Sequence, residues 1–151
     1  MSTMLQIIWA NAVRPLFQRP PVLQLAALCH RATKNGKEVL LVTSSSGRWI
    51  LPKGWPIDGK TAVQAAQQEA WEEGGVKSSV SHGDAWGMFH GKKNYDSGLS
   101  VPCETAVYEL QVDDVANDFP EAHKRDRIWV SPSRAAEMVD EVGLKSLLAK
   151  Y

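Results

Sequence analysis

Three glutamates near the middle of the chain, Glu69, Glu72 and Glu73, are spaced so that a helix would carry them on one face. At about 100° per residue, Glu72 and Glu73 fall within roughly 60° on either side of Glu69. Neighbouring carboxylates repel one another, and a helix C-terminus adds negative potential. A hard divalent cation relieves that repulsion, and substrate phosphates complete its oxygen shell. The spacing suits a metal site for phosphate chemistry, although an isolated pattern of this kind is also common on solvated helix ends.

The residues around the glutamates predict a loop that leads into a helix. Residues 52 to 59 are rich in proline and glycine, which interrupt regular structure. Thr61 is a suitable N-cap, and Gln64 three residues later completes a capping-box pattern. The segment 62–73 consists mostly of good helix formers, and Gly74-Gly75 supplies the stop.

The remaining elements are predicted from hydrophobic periodicity and turn residues. Strands are expected at residues 22–31, 39–43, 49–51, 80–90, 101–112 and 128–130, and helices at 132–139 and 142–150. A polar loop is expected between Gly91 and Ser100. The chain has no internal repeat and no long linker, so a single α/β sandwich domain over residues 1–151 is predicted.

Charge and cysteine usage narrow the class of protein. The 17 acidic and 17 basic residues cancel, which gives no general attraction to nucleic acid or membranes. Cys29 and Cys103 lie apart in apolar runs, so packed free thiols and a cytoplasmic location are predicted. Residues 1–20 are interpreted as a lead-in segment, because the apolar stretch 4–13 is too short to span a bilayer and has no basic leader.

The run GWPIDGKTAVQAAQQEAWEEGGV, from Gly54 to Val76, resembles the Nudix box. The positions that match its spacing are Gly54, Glu69, Ala70, Glu72, Glu73, Gly75 and Val76. The resemblance implies the Nudix fold, an α/β/α sandwich with a mixed central sheet and the Nudix loop-helix. It also implies hydrolysis of a phosphoanhydride with Mg²⁺ or Mn²⁺.

The resemblance assigns roles to the box residues. Glu69 and Glu73 are expected to be metal ligands, and Glu72 a ligand or the general base. A backbone carbonyl near Gly54 is expected to complete a metal shell. Family members differ in where the base lies, so three more distant glutamates stay candidates for that role: Glu104, Glu109 and Glu121.

Two box positions depart from the family pattern. Lys60 stands where the first glutamate is expected, and Gln68 stands where an arginine helps to hold the catalytic glutamates. Gln68 can still donate a hydrogen bond but carries no charge. These departures keep open a non-catalytic binding module as an alternative, while the retention of all three glutamates favours an enzyme.

Within the family, the chain is most similar to the diphosphoinositol polyphosphate and diadenosine polyphosphate hydrolases, from about Leu23 to Lys150. The segments 38–49, 51–56 and 119–130 carry this resemblance. Substrates with many phosphates need clustered cations and hydroxyl donors. The predicted substrate-binding residues are Arg48, Lys53, Ser44, Ser45, Lys93 and Arg125, with Lys92, Lys124 and Arg127 as further candidates.

Alternatives for the substrate stay open at this point. ADP-ribose, NADH and nucleoside triphosphates are hydrolysed by other members of the family, and the absence of a cysteine-rich zinc module argues against an NADH pyrophosphatase. Of the tryptophans, Trp55 is expected to border the pocket, whereas Trp49, Trp71 and Trp129 are expected to pack in the core.

Overall fold

The computed structural model describes residues 22–95 and 97–151, so the predicted lead-in segment lies outside the described residues. The elements are β1 (Val22–Thr33), β2 (Gly36–Thr43), β3 (Trp49–Ile50), β4 (Lys53–Gly54), α1 (Ala62–Gly74), β5 (Val76–Val80), β6 (Gly87–Asn94), β7 (Ser100–Val115), β8 (Arg127–Val130), α2 (Pro132–Met138) and α3 (Val142–Ala149). Within these residues no helix is long and apolar enough to cross a bilayer.

The strands form one mixed sheet around β1. β1 pairs in parallel with β7 and antiparallel with β2 and β4, while β3 and β8 both pair with β2. β5 and β6 pair antiparallel with β7 at different places along its length. The short strand β4 is therefore fixed to the centre of the sheet, beside the start of the loop that leads into α1.

The helices cover both faces of the sheet because the central strands are apolar on both sides. Residues that alternate along a strand point to opposite faces, and two clusters follow this rule. On one face, Cys29 and Leu40 pack with Ala66 and Ala70 of α1. On the other face, side chains of β1, β2 and β7 pack against α2 and α3: Ala26, Leu28, Val39, Leu41, Val107, Ala135, Leu144 and Leu148. This arrangement confirms the predicted α/β/α sandwich.

The strand predicted at residues 80–90 is wrong. Two strands, β5 and β6, occupy this region and are separated by residues 81–86. Gly83 has a φ of +91°, and Val80 is 56% exposed, so the apolar residues here do not form one buried face. The loop predicted from Gly91 is also too long, because β6 continues to Asn94 against β7. The long strand β7 forms backbone hydrogen bonds with the polar residues up to Asn94. These residues therefore lie in a strand, although hydrophobic periodicity does not predict one there.

Helix α1 begins and ends as the sequence predicts. The Thr61 hydroxyl accepts a hydrogen bond from the Gln64 N–H at 3.2 Å, and the Gln64 side chain accepts one from the Thr61 N–H at 2.9 Å. Gly75 ends the helix with a φ of 73°. A β-carbon there would also lie 2.6 Å from the Ala116 carbonyl oxygen, so glycine is required by both conformation and space.

Arg127 holds this end of the helix in place. Its guanidinium donates to the carbonyls of Gly74 at 2.8 Å and Ala116 at 2.6 Å, and to the side chain of Asn117 at 2.7 Å. Burial lowers its pKa from the ordinary arginine value. Arg127 therefore satisfies carbonyl groups that a helix end leaves without partners.

Candidate active site

Strand β4 and helix α1 meet where the carboxylate of Glu69 lies against the backbone of Gly54. β4 is held in place by pairing with β1, with Gly54 opposite Leu25. A β-carbon on Gly54 would collide with the Glu69 carboxylate. A glycine is therefore needed at this position so that the two can approach.

Glu73, one turn further along α1, is held by two donors. The side chain of Glu73 is buried, and its Oε2 accepts a hydrogen bond from the Lys53 backbone N–H at 3.0 Å. Its Oε1 accepts one from the Arg125 guanidinium, also at 3.0 Å. Arg125 additionally donates to the Thr43 carbonyl at 2.7 Å and to Glu121 at 3.2 Å. One guanidinium thus links α1, β2 and the segment before β8.

Burial and repulsion from neighbouring glutamates raise the pKa values of the Glu69 and Glu73 carboxyl groups. Burial raises the pKa of Glu69 to about 7, with further increases from the charges of Glu72 and Glu121 and opposition from Arg125. Burial also raises the pKa of Glu73 to about 7, against the stabilising effects of Arg125 and the Lys53 N–H, while Glu69 and Glu121 add to the increase. Two desolvated carboxylates that repel each other make a strongly cation-seeking site.

Glu121 is the only one of the three distant candidate bases that acts on this site. Its charge raises the pKa of both Glu69 and Glu73. Its backbone N–H also donates to the Glu72 carbonyl at 2.9 Å, which fixes its segment against α1. Glu104 and Glu109 instead lie 3.8 Å from the imidazole rings of His90 and His30, respectively.

Glu72 lies in different surroundings from the other two box glutamates. Its Oε1 accepts a hydrogen bond from the Gln68 side chain at 3.0 Å. Both residues line a groove of about 800 Å³, here named the outer groove, which also contains Lys60. In the described parts of the chain, no three His, Cys, Asp or Glu side chains come together as a ready-made metal cluster. The expected single face of three carboxylates is therefore divided between two environments.

A second space of about 760 Å³, here named the central cavity, contains three of the other box residues. Gly54, Glu69 and Glu73 line it. It is also lined by every predicted substrate-binding residue: Arg48, Lys53, Ser44, Ser45, Lys93 and Arg125. Lys92 lines it as well, whereas Lys124 and Arg127 do not. The cavity thus combines the buried carboxylate of Glu73 and the half-buried carboxylate of Glu69 with several cations and hydroxyl groups.

Two of these cations already have anionic partners. Arg125 is paired with Glu73 and Glu121. The ammonium of Lys53 lies 3.3 Å from the carboxylate of Glu141, and both side chains are largely buried. These two residues hold parts of the site together, in addition to facing the cavity.

The serine run is a tight turn organised around Arg48. The Ser44 hydroxyl accepts a hydrogen bond from the Arg48 backbone N–H at 3.1 Å. The Arg48 side chain donates to the Ser46 hydroxyl at 3.3 Å. These contacts keep the turn and its cation at the rim of the central cavity.

Four residues that line the cavity are missing from the residues expected in the site: Gln24, Ser46, Ile50 and Tyr95. Gln24 could have been found, because it is the one polar side chain in the apolar run from Leu23 to Cys29. Tyr95 follows a polar segment and carries no sequence signal. Trp55 lines the cavity as expected.

The positions predicted for the other tryptophans are confirmed only in part. Trp49 and Trp129 pack against the two core clusters, as expected. Trp71 was expected in the core as well, but it lines the outer groove. Its position on α1 beside Glu72 directs it away from the sheet, so that part of the prediction is wrong.

The residues on the central side fit a hard divalent cation. Glu69 and Glu73 offer oxygen donors whose pKa values are raised by burial and by the charges of neighbouring glutamates. Because Gly54 has no β-carbon, the Glu69 carboxylate can lie against the Gly54 backbone. Carboxylate and carbonyl oxygens are the ligands that Mg²⁺ and Mn²⁺ prefer.

Two relatives are similar to this chain over about three quarters of its length. Nudix hydrolase 16, mitochondrial, of Arabidopsis thaliana is 32% identical over 124 residues, covering 78% of this chain and 68% of that protein. Human diphosphoinositol polyphosphate phosphohydrolase 3-alpha is 33% identical over 118 residues, covering 76% of this chain and 66% of that protein. The name of the plant relative refers to mitochondria, so the cytoplasmic location of this chain stays a prediction.

The fold is shared with a solved hydrolase, and the family match spans nearly all of the described chain. The crystal structure of the C. elegans Ap4A hydrolase superposes with a TM-score of 0.64 at 21% identity, covering 87% of this chain and 96% of that chain. Residues 22–150 match the NUDIX domain family. The chain belongs to the NUDIX family, has the Nudix fold and is a pyrophosphohydrolase, an enzyme that cleaves phosphoanhydride bonds.

Proposed function

We propose that this Nudix hydrolase cleaves a polyphosphorylated small molecule, either a diadenosine polyphosphate or a diphosphoinositol polyphosphate. The observation that carries the proposal is the central cavity, where two partly or fully buried carboxylates and several cations line one space. A substrate with a chain or cluster of phosphates needs both: oxygen ligands for a bridging cation and positive side chains for the remaining charge. The human relative named for diphosphoinositol polyphosphates supports the same substrate class.

Glu69 and Glu73 are proposed to hold Mg²⁺ or Mn²⁺ together with the Gly54 carbonyl, and Glu72 is proposed as a further ligand or as the general base. A bound divalent cation would lower the pKa of the attacking water and neutralise charge on the leaving phosphate. The chain's own part is to keep the half-buried carboxylate of Glu69 and the buried carboxylate of Glu73 ionised and oriented. Arg125 and the Lys53 N–H perform this role for Glu73, since both stabilise its charged form.

The general base is proposed to be Glu72, with Glu121 as the second candidate. The Gln68 amide orients the Glu72 side chain by donating to one of its oxygens. Glu121 is supported by its charge, which raises the pKa of both Glu69 and Glu73. Since Glu121 already accepts a hydrogen bond from Arg125, it would have less freedom to accept a proton.

The substrate phosphates are proposed to bind at the turn that carries Ser44, Ser45 and Arg48, with Lys93 on the facing strand β6. Arg48 has no carboxylate partner among residues 22–95 and 97–151, so its charge is available to a ligand. Lys53 and Arg125 are proposed to contribute as well. Both would share their charge between phosphate and the carboxylates that hold them.

Hydrolysis assays with a substrate panel test the proposal. The purified protein is incubated with Mg²⁺ or Mn²⁺ and with diadenosine polyphosphates, diphosphoinositol polyphosphates, ADP-ribose, NADH and nucleoside triphosphates. Cleavage of one of the first two classes is expected to be fastest and to stop when EDTA is added. Glu73→Gln should lose this activity, whereas Glu137→Gln, on the exposed surface of α2, should keep it.

Several outcomes would contradict the proposal. Fastest cleavage of ADP-ribose, NADH or a nucleoside triphosphate would reject the substrate class but keep the site. Cleavage by Glu73→Gln at the rate of the parent would reject the site. Binding of these compounds without cleavage of any would favour a binding module, the alternative that Lys60 and Gln68 leave open.

A further inference from the structure

A carboxylate outside the central cavity is paired with one of the cations that line it. The Oε1 of Glu141 lies 3.3 Å from the Lys53 ammonium, and the two side chains are only 18% and 21% exposed. Lys53 lines the cavity together with Glu69 and Glu73, whereas Glu141, although described, is not part of the lining. The pair therefore links a cation of the site to an anion that does not reach the cavity.

The side chain of Glu141 serves this contact and not its own helix. Glu141 is the N-cap residue of α3, but within the described residues its carboxylate makes no hydrogen bond that caps the helix. A side chain at this position usually accepts one from the first turn. Its Oε2 faces β6, since a β-carbon on Gly91 would lie 3.1 Å from it. The carboxylate is thus directed towards β4 and β6.

Close packing fixes Glu141 relative to the sheet. Gly143, two residues later, approaches β6 so closely that a β-carbon there would lie 2.7 Å from the β-carbon of Phe89. The Lys145 N–H donates to the Glu141 carbonyl at 2.9 Å, which starts the first turn of α3. Glu141 is therefore a fixed anionic partner for the flexible side chain of Lys53.

Without this partner, the ammonium of Lys53 would be attracted to the two carboxylates that share its cavity. The Lys53 backbone N–H already lies 3.0 Å from the Glu73 carboxylate, so that carboxylate is close to the base of the lysine side chain. In the structure, Lys53 acts on the pKa of Glu73 through this N–H, whereas Arg125 acts through its charge. An ammonium that moved onto Glu69 and Glu73 would occupy their oxygens and repel a divalent cation.

We infer that Glu141 is a positioning residue, which holds the Lys53 ammonium away from Glu69 and Glu73 and so keeps both carboxylates free for a divalent cation. This inference rests on the proposed function, because it takes Glu69 and Glu73 as metal ligands. The same contact keeps the ammonium in the cavity lining, where a substrate phosphate can share it. Because Glu141 acts only through Lys53, a protein without Lys53 should no longer need Glu141.

Metal binding without substrate gives the first test. Mn²⁺ is titrated into the metal-free parent, Glu141→Gln, Lys53→Met and the double variant, and free Mn²⁺ is measured by electron paramagnetic resonance. Glu141→Gln should weaken Mn²⁺ binding about tenfold, as expected when a unit charge moves to within a few ångströms of a site near the protein surface. In the Lys53→Met background, the same change should alter Mn²⁺ binding by less than about twofold.

A control variant separates this effect from a general change in charge. Asp140→Asn removes one negative charge from the exposed residue beside Glu141 and should change Mn²⁺ binding by less than about twofold. Unchanged binding in Glu141→Gln, or equal losses with and without Lys53, would overturn the inference. Glu141→Asp, which keeps the charge on a shorter side chain, repeats the comparison if Glu141→Gln does not fold. It should weaken Mn²⁺ binding in the parent and not in Lys53→Met.

Kinetics with the substrate that the panel identifies give the second test. Glu141→Gln should raise the Mg²⁺ concentration for half-maximal activity about tenfold. Its kcat at saturating Mg²⁺ should fall less than about threefold, because excess cation displaces the ammonium. A loss of kcat that Mg²⁺ does not restore would overturn the inference while leaving the proposed hydrolysis intact. If the parent cleaves nothing but its Mn²⁺ affinity depends on Glu141 only when Lys53 is present, the proposed function fails and the role of Glu141 stands.

Discussion

Helix α1 has a different chemistry on each of its two open sides. The central cavity and the outer groove are similar in volume, about 760 Å³ and 800 Å³. On the central side, Glu69 and Glu73 are desolvated and have pKa values raised to about 7. On the outer side, Glu72 accepts a hydrogen bond from the Gln68 amide and lines a groove together with further amides, serines and lysines. Carboxylates that are neighbours in the sequence therefore differ because of what packs around them.

The departures from the Nudix box are confined to one of these sides. Lys60 and Gln68 both line the outer groove, together with Glu72. The matching residues Gly54, Glu69 and Glu73 line the central cavity. The part of the box that contacts the cavity has thus kept its residue types, while the part that supports Glu72 has changed. This comparison predicts that catalysis depends most on the central side.

The largest effect is expected from Glu69→Gln. The variant keeps the shape of the side chain but removes a charge that lies against the Gly54 backbone. A fall in kcat of roughly a thousandfold is expected, the upper range for loss of one charge-stabilising group at a reacting centre. The rate is measured with saturating Mg²⁺ and the substrate that the panel identifies.

Glu72→Gln sharpens this prediction, because it makes the same change on the outer side. If Glu72 acts as the base, its loss should be severe but partly rescued at higher pH, where hydroxide is more abundant. Glu69→Gln should show no such rescue. Equal losses without rescue in both variants would mean that the two sides form a single metal site, and the contrast drawn here would be wrong.

Arg125→Met should cause the next largest effect, measured as stability. It leaves the buried carboxylate of Glu73 without its cation and also removes hydrogen bonds to Thr43 and Glu121. Breaking such a pair is expected to lower the free energy of unfolding by about 3 kcal/mol. Urea unfolding without metal measures the loss. It should be smaller in a Glu73→Gln background, and equal losses in both backgrounds would show that the pair is not coupled.

Gly54→Ala tests the close approach of β4 and α1. A β-carbon there collides with the Glu69 carboxylate, which must move away from the backbone. Activity should fall about tenfold or more, because small displacements of catalytic groups are costly. Gly87→Ala is the control, since its β-carbon would meet only the flexible side chain of Leu147. Unchanged activity in Gly54→Ala would show that the contact is dispensable.

The sequence allowed the local parts of this arrangement to be predicted and left the distant ones open. The capping box of Thr61, the stop at Gly75 and the spacing of the glutamates depend on neighbouring residues, so they can be read from a short segment. The contact between Arg125 and Glu73 joins residues 52 positions apart, and no local pattern encodes it. Lys93 lies in a strand because β7 pairs with it, which polar composition cannot reveal. Gln24 differs from Lys93, because a single polar residue in an apolar run is visible in the sequence.

The smallest effect is expected from restoring the family residue at Gln68. The Gln68 amide already donates to Glu72 at 3.0 Å, so an arginine would replace one hydrogen bond with a charged one. Lys60, in the same groove, would then repel the new cation. Gln68→Arg alone should change kcat by less than about threefold, and Gln68→Arg with Lys60→Glu should raise it above either single variant, since the double change restores an opposite-charge pair. Measured kcat values over this four-variant cycle test the idea. A large increase in Gln68→Arg alone would mean that the outer side limits catalysis, contrary to the division between the two sides of α1.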